Sequence, residues 1–391
     1  MDIKFTNVFT LINNNYNLNA NYTLQRTLLC FLFRKIDNDI CIKYNIDKRF
    51  SFEKLKNLNK QKLYDLLYTS DDYIVGVLNK LNINEHIYLH IEKELLYDIF
   101  EILKEIDSFN EFKTINLKKY NSIHNNKTNN ILLEYLFQKL ELQYNETMYD
   151  GCCGIGYNII KYIDNCLENN IEIIPNNIYL SDINTYYINI LSIYVFLYKG
   201  ISNMNLEIKN SLRNNDNIKY DNILMTPPNS LYNLNNYRID KSLLFLHHSL
   251  HKLNERGKCC IILPHTFINN NRDEYKTTIK FLIENYNLEY IYIIHLFNKK
   301  NIIFHIKNNG ITENIKYIEL RLNNNRIYEI NNYEIKIDEL ITNNYKLEYN
   351  FNPFDHIIFP PHIIKEELGN LLDIIGVSDY IIENNVSDFN N

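Results

Sequence analysis

Tryptophan is missing from this sequence, and glycine (9) and proline (7) are scarce in a chain of 391 residues. That scarcity excludes collagen-like and Pro/Gly-rich linker architectures, and it gives weight to any place where either residue clusters. No apolar run reaches the roughly 18 residues of a membrane helix, so no membrane association is expected. There is no Cys-x-x-Cys pair and no Cys/His metal spacing. The seven cysteines are scattered as Cys30, Cys41, Cys152, Cys153, Cys166, Cys259 and Cys260. Reduced thiols in a cytoplasmic compartment are expected, with no bound metal. Met1-Asp2-Ile3-Lys4 lacks the apolar core of a secretory leader. An excess of basic charge is lacking too. The formal net charge of -6 excludes a stand-alone, strongly basic nucleic-acid binder, though not a local basic patch or a partner that supplies one.

What is present is apolar and aromatic: 46% hydrophobic residues, with 32 Tyr and 20 Phe. This suffices for one large domain or two ordinary ones and argues against disorder. The prevalence of Asn, Ile, Tyr and Lys has the look of an AT-rich coding bias, so composition says little about function.

Residues 1–125 read as a helical N-terminal domain. Leu24, Leu28, Phe31, Leu32 and Ile36 recur at helical spacing over 22–36. Leu95, Leu96, Ile99, Phe100, Leu103 and Ile106 do so over 92–106. Between these runs lie Lys48, Arg49, Lys54, Lys56, Lys60 and Lys62, either a solvated face or a phosphate-contacting surface. The polar stretch 122–130 reads as a linker.

From 126 to about 330 the pattern alternates. After a helix at 131–140, strands are expected at 147–149, 178–180, 206–208, 222–225, 258–263, 290–295 and 302–306. Helices are expected at 159–167, 185–197, 241–253 and 274–286. Alternating strands and helices predict an α/β fold with a doubly wound parallel sheet. Only LFNKKN joins the last two strands. That is too short for a crossover, so they are expected to form an antiparallel hairpin. Residues 331–391 read as an Asn-rich C-terminal extension. It carries an amphipathic helix at 363–375, bounded by Pro360-Pro361 and Gly376.

Three constellations could carry chemistry. Asp150-Gly151-Cys152-Cys153-Gly154-Ile155-Gly156 follows the first strand and precedes a helix. Glycine there lets backbone approach a ligand, and a Cβ at Gly154 or Gly156 would block it or strain φ. On that view Gly156→Val should abolish binding and leave the fold largely intact. Asp182 ends the second strand, where a carboxylate can accept from both ribose hydroxyls of a nucleoside cofactor; a helix N-cap is the other role for it. Thr226-Pro227-Pro228-Asn229 follows the fourth strand, and Pro-Pro there stiffens a loop at the sheet's carboxyl edge. His247, His248 and His251 share a helix and read as surface or packed histidines. Cys259 and Cys260 read as buried. A nucleophilic role for Cys152 or Cys153 would need a base, and none is near in sequence.

With these elements in order, residues 125–354 resemble the modification subunit of type I restriction systems, a DNA adenine-N6 methyltransferase family. YDGCCGIGYNIIKYI is similar to its D-P-x-C-G-x-G cofactor loop, matching at Asp150, Cys153, Gly154 and Gly156. Asp182 in LSDIN resembles its ribose-binding acid. YDNILMTPPNS falls where the family has F-D-x-x-x-x-N-P-P-F/Y. LLFLHHSLHKLNERGKCCIILPHTFINN and IDELITNNYKLEYNFNPF resemble its later segments, and TLLCFLFRKID resembles its helical domain more loosely.

The resemblance implies a Rossmann-like, S-adenosylmethionine-dependent methyltransferase sheet. It implies cofactor binding at Asp150, Cys153, Gly154, Gly156, Asp182 and Asn210, and a target base held by Thr226, Pro227, Pro228 and Asn229. It also implies DNA rather than RNA as substrate, and a separate specificity subunit bound through the C-terminal part. The departures fall on the target base. Thr226 stands for the family's Asn, and Asn229 for the aromatic residue that stacks on the base, a loss of about 1–3 kcal/mol. Asn210 stands for an Asp, and Gly151 for a Pro. Two readings stay open: a weak or impaired adenine-N6 methyltransferase, and an inactive methyltransferase-fold subunit kept for assembly or nucleic-acid positioning.

Overall fold

The computed structural model describes residues 2–16, 18–68, 71–81, 83, 91–106, 130–213, 216–234, 237–268, 270–296, 299–323, 326–342 and 347. The expected C-terminal helix at 363–375 lies outside them, as does the expected linker at 122–130 except for Asn130.

Among the described residues, seven α-helices come first: α1 (Asp2–Tyr16), α2 (Ala20–Lys35), α3 (Asn38–Lys43), α4 (Phe52–Leu55), α5 (Lys60–Tyr68), α6 (Asp71–Lys80) and α7 (Lys93–Lys104). The two expected apolar stripes lie on α2 and α7. Asn19 starts α2 by accepting from the Asn21 and Tyr22 amides, which satisfies donors that have no partner within the helix. On α7, Leu95, Leu96, Ile99, Phe100 and Leu103 are buried, and each such side chain contributes about 1.5–3 kcal/mol of burial. In the basic run, Arg49 pairs with Asp47 and Lys60 with Glu94.

The second half begins with α8 (Asn130–Leu140), β1 (Met148–Asp150), α9 (Tyr157–Glu168), β2 (Ile178–Asp182), α10 (Thr185–Lys199), β3 (Asn205–Ile208) and β4 (Tyr220–Met225). It continues through β5 (Leu231–Leu234), β6 (Tyr237–Asp240), α11 (Lys241–Lys252), β7 (Leu253–Pro264), α12 (Asp273–Asn285), β8 (Asn287–Leu296), β9 (Lys299–Lys307), β10 (Asn314–Asn323), β11 (Arg326–Lys336) and α13 (Ile337–Thr342). Nine strands form one sheet in the order β11-β10-β8-β9-β7-β4-β1-β2-β3.

β1, β2, β3, β4 and β7 pair in parallel. β8 and β9 form the expected antiparallel hairpin, and β9 inserts between β7 and β8. The sheet does not end there. β10 pairs in parallel with β8, and β11 pairs antiparallel with β10. The sequence reading missed these two strands, and also the β5–β6 hairpin after the Pro-Pro loop. β11 is an edge strand whose Tyr328, Ile330 and Tyr333 are about half exposed. Its polar residues on the solvent side blurred the alternation that marks a strand. β11 also runs through residues 330 and 331, where the methyltransferase region was expected to end.

Helices cover both faces. On one face, α9 and α10 share a continuous core with the N-terminal helices, from Phe5 and Phe31 to Ile163 and Val195. α11 and α12 pack on the other. α2 lies parallel to α10. Tyr22 and Tyr186 meet at their N-terminal ends, with ring centroids 4.3 Å apart. At the other end Lys35 Nζ donates to the Leu197 carbonyl at 3.0 Å.

Candidate functional site

Strand order reverses at β1, which has β2 on one side and β4 on the other. In an open α/β sheet this leaves a crevice beyond the carboxyl ends of the strands. The segments after β1, β2, β3 and β4 all emerge there, and each carries residues singled out in the sequence.

Asp150 ends β1 and is 1% exposed. Its carboxylate accepts from the Cys152 amide at 3.0 Å and from Asn158 Nδ2 on α9 at 2.9 Å. Burial pushes its pKa up to about 7, against the lowering effect of those two donors. The chain then turns through two left-handed glycines, Gly154 (φ +55°) and Gly156 (φ +85°). They differ in surroundings. A Cβ on Gly154 would meet nothing within 4 Å, whereas one on Gly156 would lie 2.0 Å from Leu191 Cδ1 of α10. Gly154 therefore faces open space, and Gly156 lets α9 and α10 pack. α9 begins at Gly156 with no side chain capping it, which leaves helical N–H groups free of a side-chain acceptor at that end.

Asp182 ties this loop to β2. One of its oxygens accepts from the Gly154 amide at 2.9 Å, and the other from the Asn184 amide at 2.8 Å. Burial raises its pKa, with the Asn184, Gly154 and Ile183 amides opposing. The helix N-cap role falls instead to Asn184, which accepts from Tyr186 at the start of α10. The Cys153 amide adds a bond to the Ser181 carbonyl at 3.1 Å. After β3, Asn210 Oδ1 accepts from the Leu212 amide at 3.1 Å. The neighbouring Ser211 hydroxyl donates to the Gly151 carbonyl and lies 2.7 Å from the Ser181 hydroxyl. The residues that hold these loops together, Asn158, Ser181, Asn184 and Ser211, were missed in the sequence. The only signal was their position beside Asp182 and Asn210 or one turn into α9.

Thr226 to Asn229 follow β4, beside the glycine loop. Thr226 is half-buried, Pro227 buried and Asn229 exposed, and the Ser230 amide donates to the Pro228 carbonyl at 3.0 Å. The structure thus brings the Asp150–Gly156 loop, Asp182, Asn210 and the Thr226–Asn229 loop to one edge of the sheet.

The Cys152 and Cys153 thiols are pushed well up by burial and by Asp150 and Asp182, so they stay protonated. Cys259 and Cys260 are buried in β7. Of the α11 histidines, His251 is exposed and the other two are packed. His247 Nε2 lies 2.9 Å from Thr278 Oγ1, and His248 Nε2 lies 2.9 Å from the Tyr149 hydroxyl.

Among solved structures, the type I restriction-modification methyltransferase subunit from Streptococcus thermophilus superimposes with a TM-score of 0.68 at 14% identity. The match covers 88% of this chain and 97% of that one. The fold is that of the type I modification subunits. A chain from a structural study of complex assembly and conformational transition in a type I system matches this modification-subunit fold equally well. Its TM-score is 0.68 at 14% identity, over 95% and 94% of the two chains. The type IIG restriction endonuclease BpuSI matches at a TM-score of 0.57 and 16% identity, over 87% of this chain and 46% of its own longer one. No family model and no curated protein matches the sequence. The modification-subunit fold includes the helical N-terminal region, because the first two matches span nearly the whole chain. No helix among the described residues is long and apolar enough to cross a membrane.

Proposed function

We propose that this chain binds S-adenosylmethionine and methylates the N6 amine of adenine in DNA, with a target-base site weakened by Thr226 and Asn229. The observation that carries the reading is the bond from the Gly154 amide to Asp182, beside open space over Gly154 at the strand-order reversal. The Asp182 oxygens accept from the Gly154 and Asn184 amides, and a carboxylate oxygen can accept a further hydrogen bond from a ribose hydroxyl. Gly154 admits the methionyl portion without a Cβ in the way, and Asn210 stands at the β3 exit to meet the adenine ring. Asp150 and Cys153 hold the loop in shape.

When bound, the cofactor supplies an electrophilic methyl group. The protein's task is then to hold an extruded adenine in line, with its amine lone pair turned toward that methyl. Thr226 Oγ1 and the Pro227 carbonyl are the acceptors for the amine. Asn229 is exposed and has no ring to stack on the base.

That shortage favours a second reading, in which the chain is a non-catalytic subunit that keeps the fold for assembly or nucleic-acid positioning. In both readings a separate specificity subunit reads the DNA sequence, and the run 363–375 is its contact. Lys48, Arg49, Lys54, Lys56, Lys60 and Lys62 would touch only backbone phosphates.

The test is incubation with labelled S-adenosylmethionine and mixed DNA and RNA, followed by nucleoside analysis. N6-methyladenine in DNA is expected. Cofactor binding without any methylated base moves the chain to the second reading. Calorimetry that finds no binding at millimolar cofactor removes the cofactor site from both.

A further inference from the structure

Tyr149 precedes the glycine loop, and its hydroxyl sits beneath it. An ideal Cβ on Gly151 would lie 2.7 Å from the Tyr149 oxygen, 3.1 Å from its Cζ and 3.1 Å from Met225 Cε. The ring is 3% exposed and stacks on Tyr220 at 4.3 Å between centroids, with an interplanar angle of 14°. Its position is therefore set by packing from below. Its hydroxyl meets His248 Nε2 of α11 at 2.9 Å. The next residue of α11, Ser249, donates to the Phe245 carbonyl at 2.8 Å and its oxygen lies 3.4 Å from Met225 Sδ, and Met225 is the last residue before Thr226. One turn of α11 thus holds both the group under the cofactor loop and the group at the root of the Thr226–Asn229 loop.

We infer that the Tyr149 hydroxyl, anchored by His248, is a positioning group. It fills the space a side chain at position 151 would take, and so sets the Asp150–Gly156 loop relative to Met225 and the target-base loop. Glycine at position 151 is then the partner of a tyrosine at 149. Aromatic burial fixes the ring, His248 meets the hydroxyl, and Ser211, which holds the Gly151 carbonyl, also interacts with the Tyr149 hydroxyl, as does Ser181. A larger residue at 151 has to displace either the loop or the hydroxyl, because a Cβ essentially never approaches another heavy atom to 2.7 Å.

The ligand half of this inference rests on the cofactor reading above; the contact itself does not. Two readouts on the full chain separate them. Residue Cys152 is partly exposed although burial holds its thiol protonated, while the other six cysteines are buried, so a faster modification of Cys152 by a thiol reagent reports loosening of the loop without any ligand. Calorimetry with S-adenosylmethionine reports the site. Gly151→Ala should speed Cys152 modification and weaken cofactor binding by about tenfold, the equivalent of 1.4 kcal/mol. Adding Tyr149→Phe to Gly151→Ala should return both most of the way to wild type, because the clashing oxygen is gone. His248→Gln, which retains a hydrogen-bonding partner for the hydroxyl, should stay near wild type, whereas His248→Leu should behave like a loosened loop. If Gly151→Ala has the same effect with and without the Tyr149 hydroxyl, the inference is overturned. If the Cys152 rates follow this pattern while the wild-type protein binds no cofactor, the contact stands and the cofactor reading falls.

Discussion

Gly156 and Leu191 touch so closely that any side chain at position 156 would enter the leucine: the Cβ would lie 2.0 Å from Leu191 Cδ1. The glycine that looked like a ligand contact in the sequence is therefore a packing residue between α9 and α10. The expectation that Gly156→Val leaves the fold largely intact is corrected on this ground.

Gly156→Ala should lower unfolding stability by about 2–4 kcal/mol, combining overpacking with the cost of a left-handed non-glycine residue. Gly154→Ala should cost only the conformational part, about 1–2 kcal/mol, yet weaken the cofactor more. Urea unfolding and calorimetry on the two variants measure this division. Equal stability losses would show that the Leu191 contact relaxes.

The Asp150 carboxyl gives stability a pH dependence. Its folded pKa of about 7 lies above the ordinary carboxyl value of 3.8. Its contribution is fully present below the unfolded pKa and is lost as pH rises through about 7. Asp150→Asn should therefore gain melting temperature relative to wild type between pH 5 and pH 8, while binding cofactor less well because the loop loses a charged acceptor. A melting-temperature difference that stays flat across this range would argue against a buried, reluctantly ionised Asp150.

His305 has the opposite sign. It is 2% exposed, stacks on Tyr290, and neither ring nitrogen has a hydrogen-bond partner among the described residues. Burial lowers its pKa from 6.5 to about 3, with Lys307, Lys258 and Lys139 adding to the shift. The folded pKa lies below the unfolded one, so the stability of the neutral form is present above 6.5 and is lost as pH falls toward 3. His305→Leu should be close to neutral at pH 8 and gain about 2 kcal/mol relative to wild type at pH 5. Chemical denaturation at the two pH values decides it.

The target-base loop offers a gain-of-function test. Thr226→Asn combined with Asn229→Phe restores an amide acceptor and a stacking surface worth about 1–3 kcal/mol. Methylation of adenine in DNA should rise by about tenfold or more. An unchanged or lower rate in the nucleoside assay would mean that the loop serves another substrate or none.

Much of the architecture was readable from residue order. Alternating apolar runs specify the five parallel strands and their helices, and the six-residue LFNKKN connection forces β8 and β9 into a hairpin. Those signals are local: strand and helix periods are written in adjacent residues, and a short connection leaves no room for a crossover. β10, β11 and the β5–β6 hairpin were not readable in the same way. Strands at or next to a sheet edge, such as β11 and β10, mix Asn and Glu among their apolar residues, and only pairing with a neighbour distinguishes them from loops.

The sequence by itself also picked out Asp150, Gly154, Gly156, Asp182 and Thr226–Asn229, because glycines, acids and prolines at strand ends are distinctive in a chain so poor in glycine and proline, whereas Asn210 was named only through the family resemblance. What each of them touches was decided only by the tertiary structure. Asp182 latches Gly154 while Asn184 caps α10, Gly156 makes room for Leu191, and Gly151 makes room for the Tyr149 hydroxyl. These contacts join residues 2 to 35 positions apart, and only close packing of sheet and helices fixes which atoms meet.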